Sequence, residues 1–143
     1  MPEAQPRTFE TLAVGDSASF SVELSPEMVN GFAKLSGDFN PLHSDDAYAA
    51  DTNFGARIPH GMIAGMLFSR LVGMELPGKH CLYLTQTLGF KKPLPLRGTV
   101  IVRGEIIELS ESVRTAKLYT TVRDGATDEL LVDGHALTHI LKP

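Results

Sequence analysis

Cysteine is nearly absent from this chain. Cys81 is the one thiol in 143 residues, which excludes an intrachain disulfide framework and fits a reducing compartment. Positive charge is not in excess either. Lysine and arginine total 13 against 17 acids, for a net charge of −4 and an isoelectric point near 5.7, which argues against nucleic-acid binding. Met1 to Glu10 has no apolar core of the secretory-signal kind. A glycine-rich phosphate loop, a dinucleotide fingerprint and a Gly-x-Ser-x-Gly elbow are missing. There is no internal repeat and no low-complexity tract. The expectation is a cytoplasmic protein with neither a nucleic-acid nor a membrane partner.

What is there describes one soluble globular domain. Hydrophobic residues make up 43% and charged residues 21%, at a length that buries a real core. Residues 1–10 read as a loose N-terminal arm and residues 11–143 as the domain. The main apolar stretch runs from Ile58 to Met74. Its Ile63, Met66, Leu67, Leu71 and Met74 recur at helical spacing, with no charge between Gly61 and Ser69, the pattern of a buried helix. From Met62 to Met74 the helix would be a rod of roughly 20 Å, too short to cross a bilayer. Gly61, Gly65, Ser69 and Gly73 fall every fourth residue and form a seam of small residues. Two readings of the seam stand. Either a sheet packs tightly on it, or a ligand meets the free backbone N–H groups at the helix N-terminus.

Around this helix the chain alternates in character. Ala18, Phe20, Val22 and Leu24 interleave with Ser17, Ser19, Ser21 and Glu23, which predicts a half-buried strand. Ser25-Pro26-Glu27 opens a helix with an N-cap, a first-turn proline and an early acid. Met28, Phe32 and Leu35 would be its core face, and Gly37 its stop. Pro41 disfavours helical geometry at Asn40, so the segment must turn before Ser44-Asp45-Asp46 opens another short helix. Strands are expected over 82–90, 99–109, 113–123 and 129–141, separated by turn residues at 110–112 and 124–125. Cys81 reads as a small buried side chain at a strand start. The whole is an α+β fold, an antiparallel meander curled around one long helix.

Asp38 and His43 are the strongest candidates for chemistry. A carboxylate and an imidazole stand five residues apart in a segment that a proline forces to turn, so both can meet one water and divide its proton work. The plainer reading has Asp38 capping backbone N–H groups and His43 packed as a core ring. His135 and His139 have zinc-pair spacing for a helix, but four residues of strand span roughly 13 Å, which excludes one shared metal. His60 reads as a structural residue that orients a loop, and His80 as exposed. Ser69 reads as a packed hydroxyl facing the seam. Arg57, Lys79, Lys91, Lys92 and Arg97 are either solvated charges or phosphate contacts.

Asp38-Phe39-Asn40-Pro41-Leu42-His43 resembles the hydratase motif of the MaoC-like enzymes, and is most similar to that of the (R)-specific enoyl-CoA hydratases, which supply (R)-3-hydroxyacyl-CoA. Ile58-Pro59-His60-Gly61-Met62, Pro77-Gly78 and the run from Tyr83 to Lys91 also fit this family in position. The resemblance covers nearly the whole chain from the first strand. It implies a hot-dog fold, an antiparallel β-sheet wrapped around a long central α-helix, and a homodimer with acyl tunnels near its interface. It implies a hydro-lyase acting on an acyl-CoA, of the kind used in fatty-acid metabolism and polyhydroxyalkanoate precursor supply. By the same resemblance Asp38 and His43 are catalytic, and the Gly61 N–H polarises the thioester carbonyl. Ser69 lines the acyl pocket and Val72 falls where acyl length is sensed. No metal or redox cofactor is implied, since the CoA thioester is itself the substrate. A hot-dog thioesterase, a 3-hydroxyacyl-carrier-protein dehydratase and a non-catalytic acyl-CoA-binding module are the alternatives.

Overall fold

Alternating side chains become a six-stranded antiparallel sheet in the computed structural model, which describes residues Met1–Pro143. The order along the chain is β1 (Ser17–Leu24), α1 (Pro26–Ser36), α2 (Pro41–Ser44), α3 (Asp46–Ala50), α4 (Ile63–Arg70), β2 (Cys81–Gln86), β3 (Gly89–Phe90), β4 (Gly98–Ser110), β5 (Thr115–Asp124) and β6 (Leu130–Ile140). Across the sheet the order is β1-β4-β5-β6-β2, with β3 also paired to β6. The three long C-terminal strands form the expected meander. The four α-helices all fall in the crossover between the edge strands β1 and β2. Register shifts at Tyr83/Thr85 and Ile106/Glu108 add the local bend and twist by which a sheet curls.

The sheet curls around α4. Ile63, Ala64, Leu67, Phe68 and Leu71 share one buried cluster with Val100, Val102 and Val122 of the sheet. A second cluster gathers Val72 and Leu76 against Ile106, Leu118 and Ile140. The core is tight at Gly104, where a Cβ would stand 2.8 Å from Leu71 Cδ2. Removal of these side chains from water is the main source of cohesion. No helix is long and apolar enough to cross a membrane.

Several expectations need correction. The central helix is not α-helical from Met62 to Met74. It ends at Arg70 and continues as a π turn over Leu71–Glu75, in which the Leu76 N–H reaches back five residues to the Leu71 carbonyl at 3.0 Å. The wider turn leaves the Val72 and Met74 carbonyls to the N–H groups of Gly78 and Gln5, both at 2.9 Å. Nor is the helix buried all round. Met62 and Met66 are 55% and 42% exposed, and Ser69 lies on the same open flank. The small-residue seam meets the sheet only at its N-terminal end, where a Cβ on Gly61 would stand 2.7 Å from the Phe90 ring of β3. A Cβ on Gly73 would meet nothing within 4 Å.

The smaller differences have local causes. The strand expected over 82–90 is broken into β2 and β3, because the Thr87 N–H bonds the His135 carbonyl outside the regular ladder. In α1 the expected Met28 and Phe32 pack against the core beside the fully buried Val29 and Ala33, but Leu35 is 90% exposed and takes no part in that face. The arm expected to be loose is pinned. Pro6 bridges Gly78, the Lys79 N–H bonds the Gln5 carbonyl at 2.9 Å, and Phe9 and Leu12 are buried in the second cluster. Cys81 is half-buried, its Sγ donating to the Val72 carbonyl at 3.3 Å, and burial pushes its thiol pKa up. His80 is half-buried instead of exposed.

Candidate active site

The crossover between α1 and α4 is built from local hydrogen bonds. Gly37, at φ 79°, ends α1 in the left-handed conformation that glycine adopts without strain. Asp38 Oδ1 then accepts the Asn40 N–H at 3.1 Å, and Asn40 Oδ1 accepts the Leu42 N–H at 3.0 Å. These successive side-chain turns lead into α2, with Pro41 in its first turn, where a missing N–H costs nothing. The turn delivers His43, whose Nδ1–H donates to the Ile58 carbonyl at 2.7 Å.

Arg57 fastens this turn to its surroundings. It donates to Asp46 Oδ1 at 2.9 Å, Asn30 Oδ1 at 3.1 Å and the His43 carbonyl at 3.2 Å. With its side chain only 10% exposed, Arg57 is neither a solvated charge nor a phosphate contact. One guanidinium ties α1, α2 and α3 together.

A cavity of about 500 Å³ opens beside this turn, lined by Asp38, His43, His60 and Gly61 together with Phe54, Met62, Phe90 and two lysines, Lys91 and Lys92. Both readings of Asp38 and His43 are satisfied at once, each by a different atom. Asp38 uses Oδ1 for the turn, while Oδ2 makes no hydrogen bond and lies 3.9 Å from His60 Nε2. His43 uses Nδ1 for the Ile58 carbonyl, and its Nε2 makes no bond to the protein. A carbonyl can only accept, so Nδ1 of His43 carries the hydrogen and Nε2 offers a lone pair. The Gly61 N–H, just before α4, donates to no protein acceptor. A Cβ at Gly61 would stand 2.7 Å from the Phe90 ring.

Ligand atoms of Asp38, His43 and His60 lie within 4.8 Å of one another, as two imidazoles and a carboxylate in a metal centre would. The geometry does not fit a metal. The two rings stack with centroids 4.1 Å apart and planes inclined by 30°. In-plane lone pairs of stacked rings do not converge on a point about 2 Å from both.

The remaining candidates are dispersed. Ser69 is exposed on the open flank of α4 and is not packed. Val72 is fully buried in the second cluster, outside the cavity lining. His135 is exposed, and His139 Nδ1 pairs with the Val113 carbonyl at 3.0 Å. Lys91 and Lys92 line the cavity and form ion pairs, Lys91 with Asp133 at 3.8 Å and Lys92 with Glu129. Two functional neighbours were not anticipated, the Arg57 clamp and the position of His60 against His43. Only the adjacency of His60 to Gly61 hinted at the second.

The sheet wrapped on one helix, and the Asp38/His43 turn at the helix N-terminus, define a hot-dog hydratase-type domain. A family model described as "MaoC like domain" matches residues 9–129, and the chain belongs to the MaoC-like family. It is 41% identical to the (R)-specific enoyl-CoA hydratase of Aeromonas caviae over 92% of this chain and 97% of that protein. It is 39% identical to the 3-hydroxybutyryl-CoA dehydratase of Methylorubrum extorquens over 99% of this chain and 89% of that one. Among solved structures, the (R)-hydratase of A. caviae superposes with a TM-score of 0.87 at 40% identity, covering 92% of this chain and 98% of that chain. An R-hydratase of Pseudomonas aeruginosa gives 0.89 at 35% identity, covering 95% and 86%. The protein is an enzyme of the hydro-lyase class.

Proposed function

We propose that this enzyme adds water to trans-2-enoyl-CoA to give (R)-3-hydroxyacyl-CoA. The observation that carries the reading is the pair of unengaged atoms, Asp38 Oδ2 and His43 Nε2, in one cavity with the free Gly61 N–H. A water held between the pair loses one proton to it while the oxygen bonds to Cβ. Negative charge then develops on the thioester oxygen as the Cα–Cβ double bond opens. The Gly61 N–H at the N-terminus of α4 meets that charge, as oxyanion donors do. The pair returns one proton to Cα, so the net change is one water added. The reverse direction is the dehydration for which the M. extorquens relative is named. The residues fit chemistry that needs no cofactor, because the substrate's thioester supplies the electron sink.

The reading includes a homodimer in the cytoplasm. Met62, Met66 and Ser69 on the open flank of α4 and Leu82 and Leu84 on the edge strand β2 are exposed, with Leu82 at 52% and Leu84 at 48%. An apolar surface of this kind beside an unpaired strand edge supports a two-fold contact. In the dimer Ser69 would be covered, in keeping with a place along the acyl pocket, and Val72 would set acyl length from behind it. The test is the loss of enoyl absorbance with crotonyl-CoA and longer enoyl-CoAs, followed by chiral analysis of the product. Unchanged absorbance, or a mainly (S) product, would refute the proposal, and release of free CoA would mark a thioesterase instead.

A further inference from the structure

We propose that His60 is a positioning residue, a ring that holds Asp38, His43 and the Gly61 N–H in fixed relation to one another. The inference rests on the assignment of Asp38 and His43 as the reacting pair.

His60 is 2% exposed, one of very few buried polar residues. Thr120 and Thr138, also buried, donate to sheet carbonyls. His60 is only half satisfied. Its Nε2–H donates to the Asp38 backbone carbonyl at 2.9 Å, and its buried Nδ1 has no partner. A buried polar atom without a partner is destabilising, and an apolar ring of the same shape would avoid it. Packing alone therefore does not explain a histidine at this position. What the imidazole supplies and a phenyl ring does not is the bond to Asp38.

Three contacts meet in this ring. Through Nε2–H it fixes the backbone of Asp38, 22 residues away in sequence. One face stacks on His43 with centroids 4.1 Å apart, and Phe32 lies against the ring at 4.7 Å. Its own peptide leads into Gly61. The stack opposes a flip of the His43 ring, which would exchange Nδ1 with Cδ2 and Nε2 with Cε1, taking Nδ1 off the Ile58 carbonyl and Nε2 out of its place in the cavity. The bond to Asp38 holds the turn that carries Oδ2. His60 is thus the one side chain linked to all three groups of the proposed reaction, without a hydrogen bond to the reacting atoms themselves. Misplacement of a reacting group by about 1 Å can cost on the order of 10²-fold in rate, so a residue of this kind acts on turnover.

Three variants separate the contributions. His60→Phe keeps the ring and removes the donor. His60→Gln keeps a donor near the Nε2 position and removes the ring. His60→Ala removes both. With crotonyl-CoA, His60→Phe is expected to lower kcat by about tenfold or more while KM changes by less than about threefold, because the lost alignment acts on the transition state. His60→Gln should recover part of the rate lost in His60→Ala. Nitrogen NMR of the histidine rings should show the Nδ1–H tautomer for His43 in the wild type and a mixture of tautomers in His60→Gln, where the stack is gone. A folded His60→Phe protein with kcat within about twofold of wild type, well inside the expected loss, overturns the proposal. If His60→Phe does not fold, His60→Gln decides. Wild-type kcat and an unchanged His43 tautomer in that variant overturn it equally. Asp38→Asn is run in parallel. Full activity there removes the reacting pair itself, a failure distinct from that of His60.

Discussion

One N–H of the Arg57 guanidinium donates to the backbone carbonyl of His43, 3.2 Å away. The cation therefore holds the backbone of a candidate catalytic residue from outside the cavity lining. Arg57→Met should leave that part-buried carbonyl without its donor and lower stability by about 1–3 kcal/mol, the usual cost of an unsatisfied polar group. Arg57→Lys should restore only part of the loss, since one ammonium cannot match the fork geometry of a guanidinium. Thermal unfolding of the three proteins checks the order wild type, Lys, Met. Equal melting temperatures would show that the clamp carries no load.

The Asp38/His43 pair is tested by substitutions that preserve shape. Asp38→Asn retains an oxygen for the Asn40 N–H, and His43→Gln retains a polar reach. Each should lower kcat by about 10² to 10⁴-fold, the usual range for a general acid or base. The double variant should lose much less than the product of the single losses, because the two groups act on one water. Steady-state rates and melting temperatures on the same preparations distinguish chemistry from folding. A folded Asp38→Asn enzyme with more than about a third of wild-type turnover, far inside that range, leaves the mechanism without its base.

Met66→Glu and Leu84→Glu each place a charge on the surface assigned to self-association. Both positions are already exposed in the single chain, so the fold should tolerate the change while a contact between two copies should not. Sedimentation velocity should show a dimer for the wild type and a monomer for the variants, with hydration falling alongside. A wild-type protein that is monomeric and fully active at assay concentration would remove the dimer from the account.

Alkaline stability depends on Tyr83. Burial pushes its phenol up to about 12, with the neighbouring Cys81 adding to the shift, and the hydroxyl donates to Gln86 Oε1. The neutral form is the one the fold favours. The stabilisation is therefore complete below the unfolded value near 10, and is lost as pH rises from there through the folded value. Tyr83→Phe abolishes this titration. Between about pH 9.5 and 12, the melting temperature of the wild type should fall more steeply than that of Tyr83→Phe. Parallel curves would place the phenol outside the linkage.

Local chemistry made much of this molecule legible in the sequence. The Ser25 cap, the alternation of β1 and the non-helical Asn40 before Pro41 depend on neighbours a few residues apart and stand as read, although Pro41 itself opens the short, unforeseen α2. The open flank of α4 was not legible. Met62 and Met66 are as apolar as Leu67, and only the position of the sheet decides which of them it covers. Leu35 misled for the same reason, since it shares its spacing with Met28 and Phe32, which do meet the core, but lies past the end of what the sheet covers. The π turn occurs where Gln5 bonds to Met74 across 69 positions, a long-range pairing that no local window contains. The sequence singles out Arg57 and His60 but not their partners, because Asn30, Asp46 and Asp38 come together with them only after the crossover has folded.

Asp38 performs two tasks with two atoms, since Oδ1 completes a turn and Oδ2 faces the cavity. A selection that scored folding alone, blind to turnover, would still retain a short acceptor side chain at this position. Asparagine would meet that demand and glutamate, one methylene longer, would not. Tolerance at position 38 should therefore differ between two screens of the same library. Asp and Asn should survive a screen for soluble expression, and Asp alone a screen for growth that depends on hydration. The gap between the two lists would separate the oxygen proposed to react from the oxygen that folds.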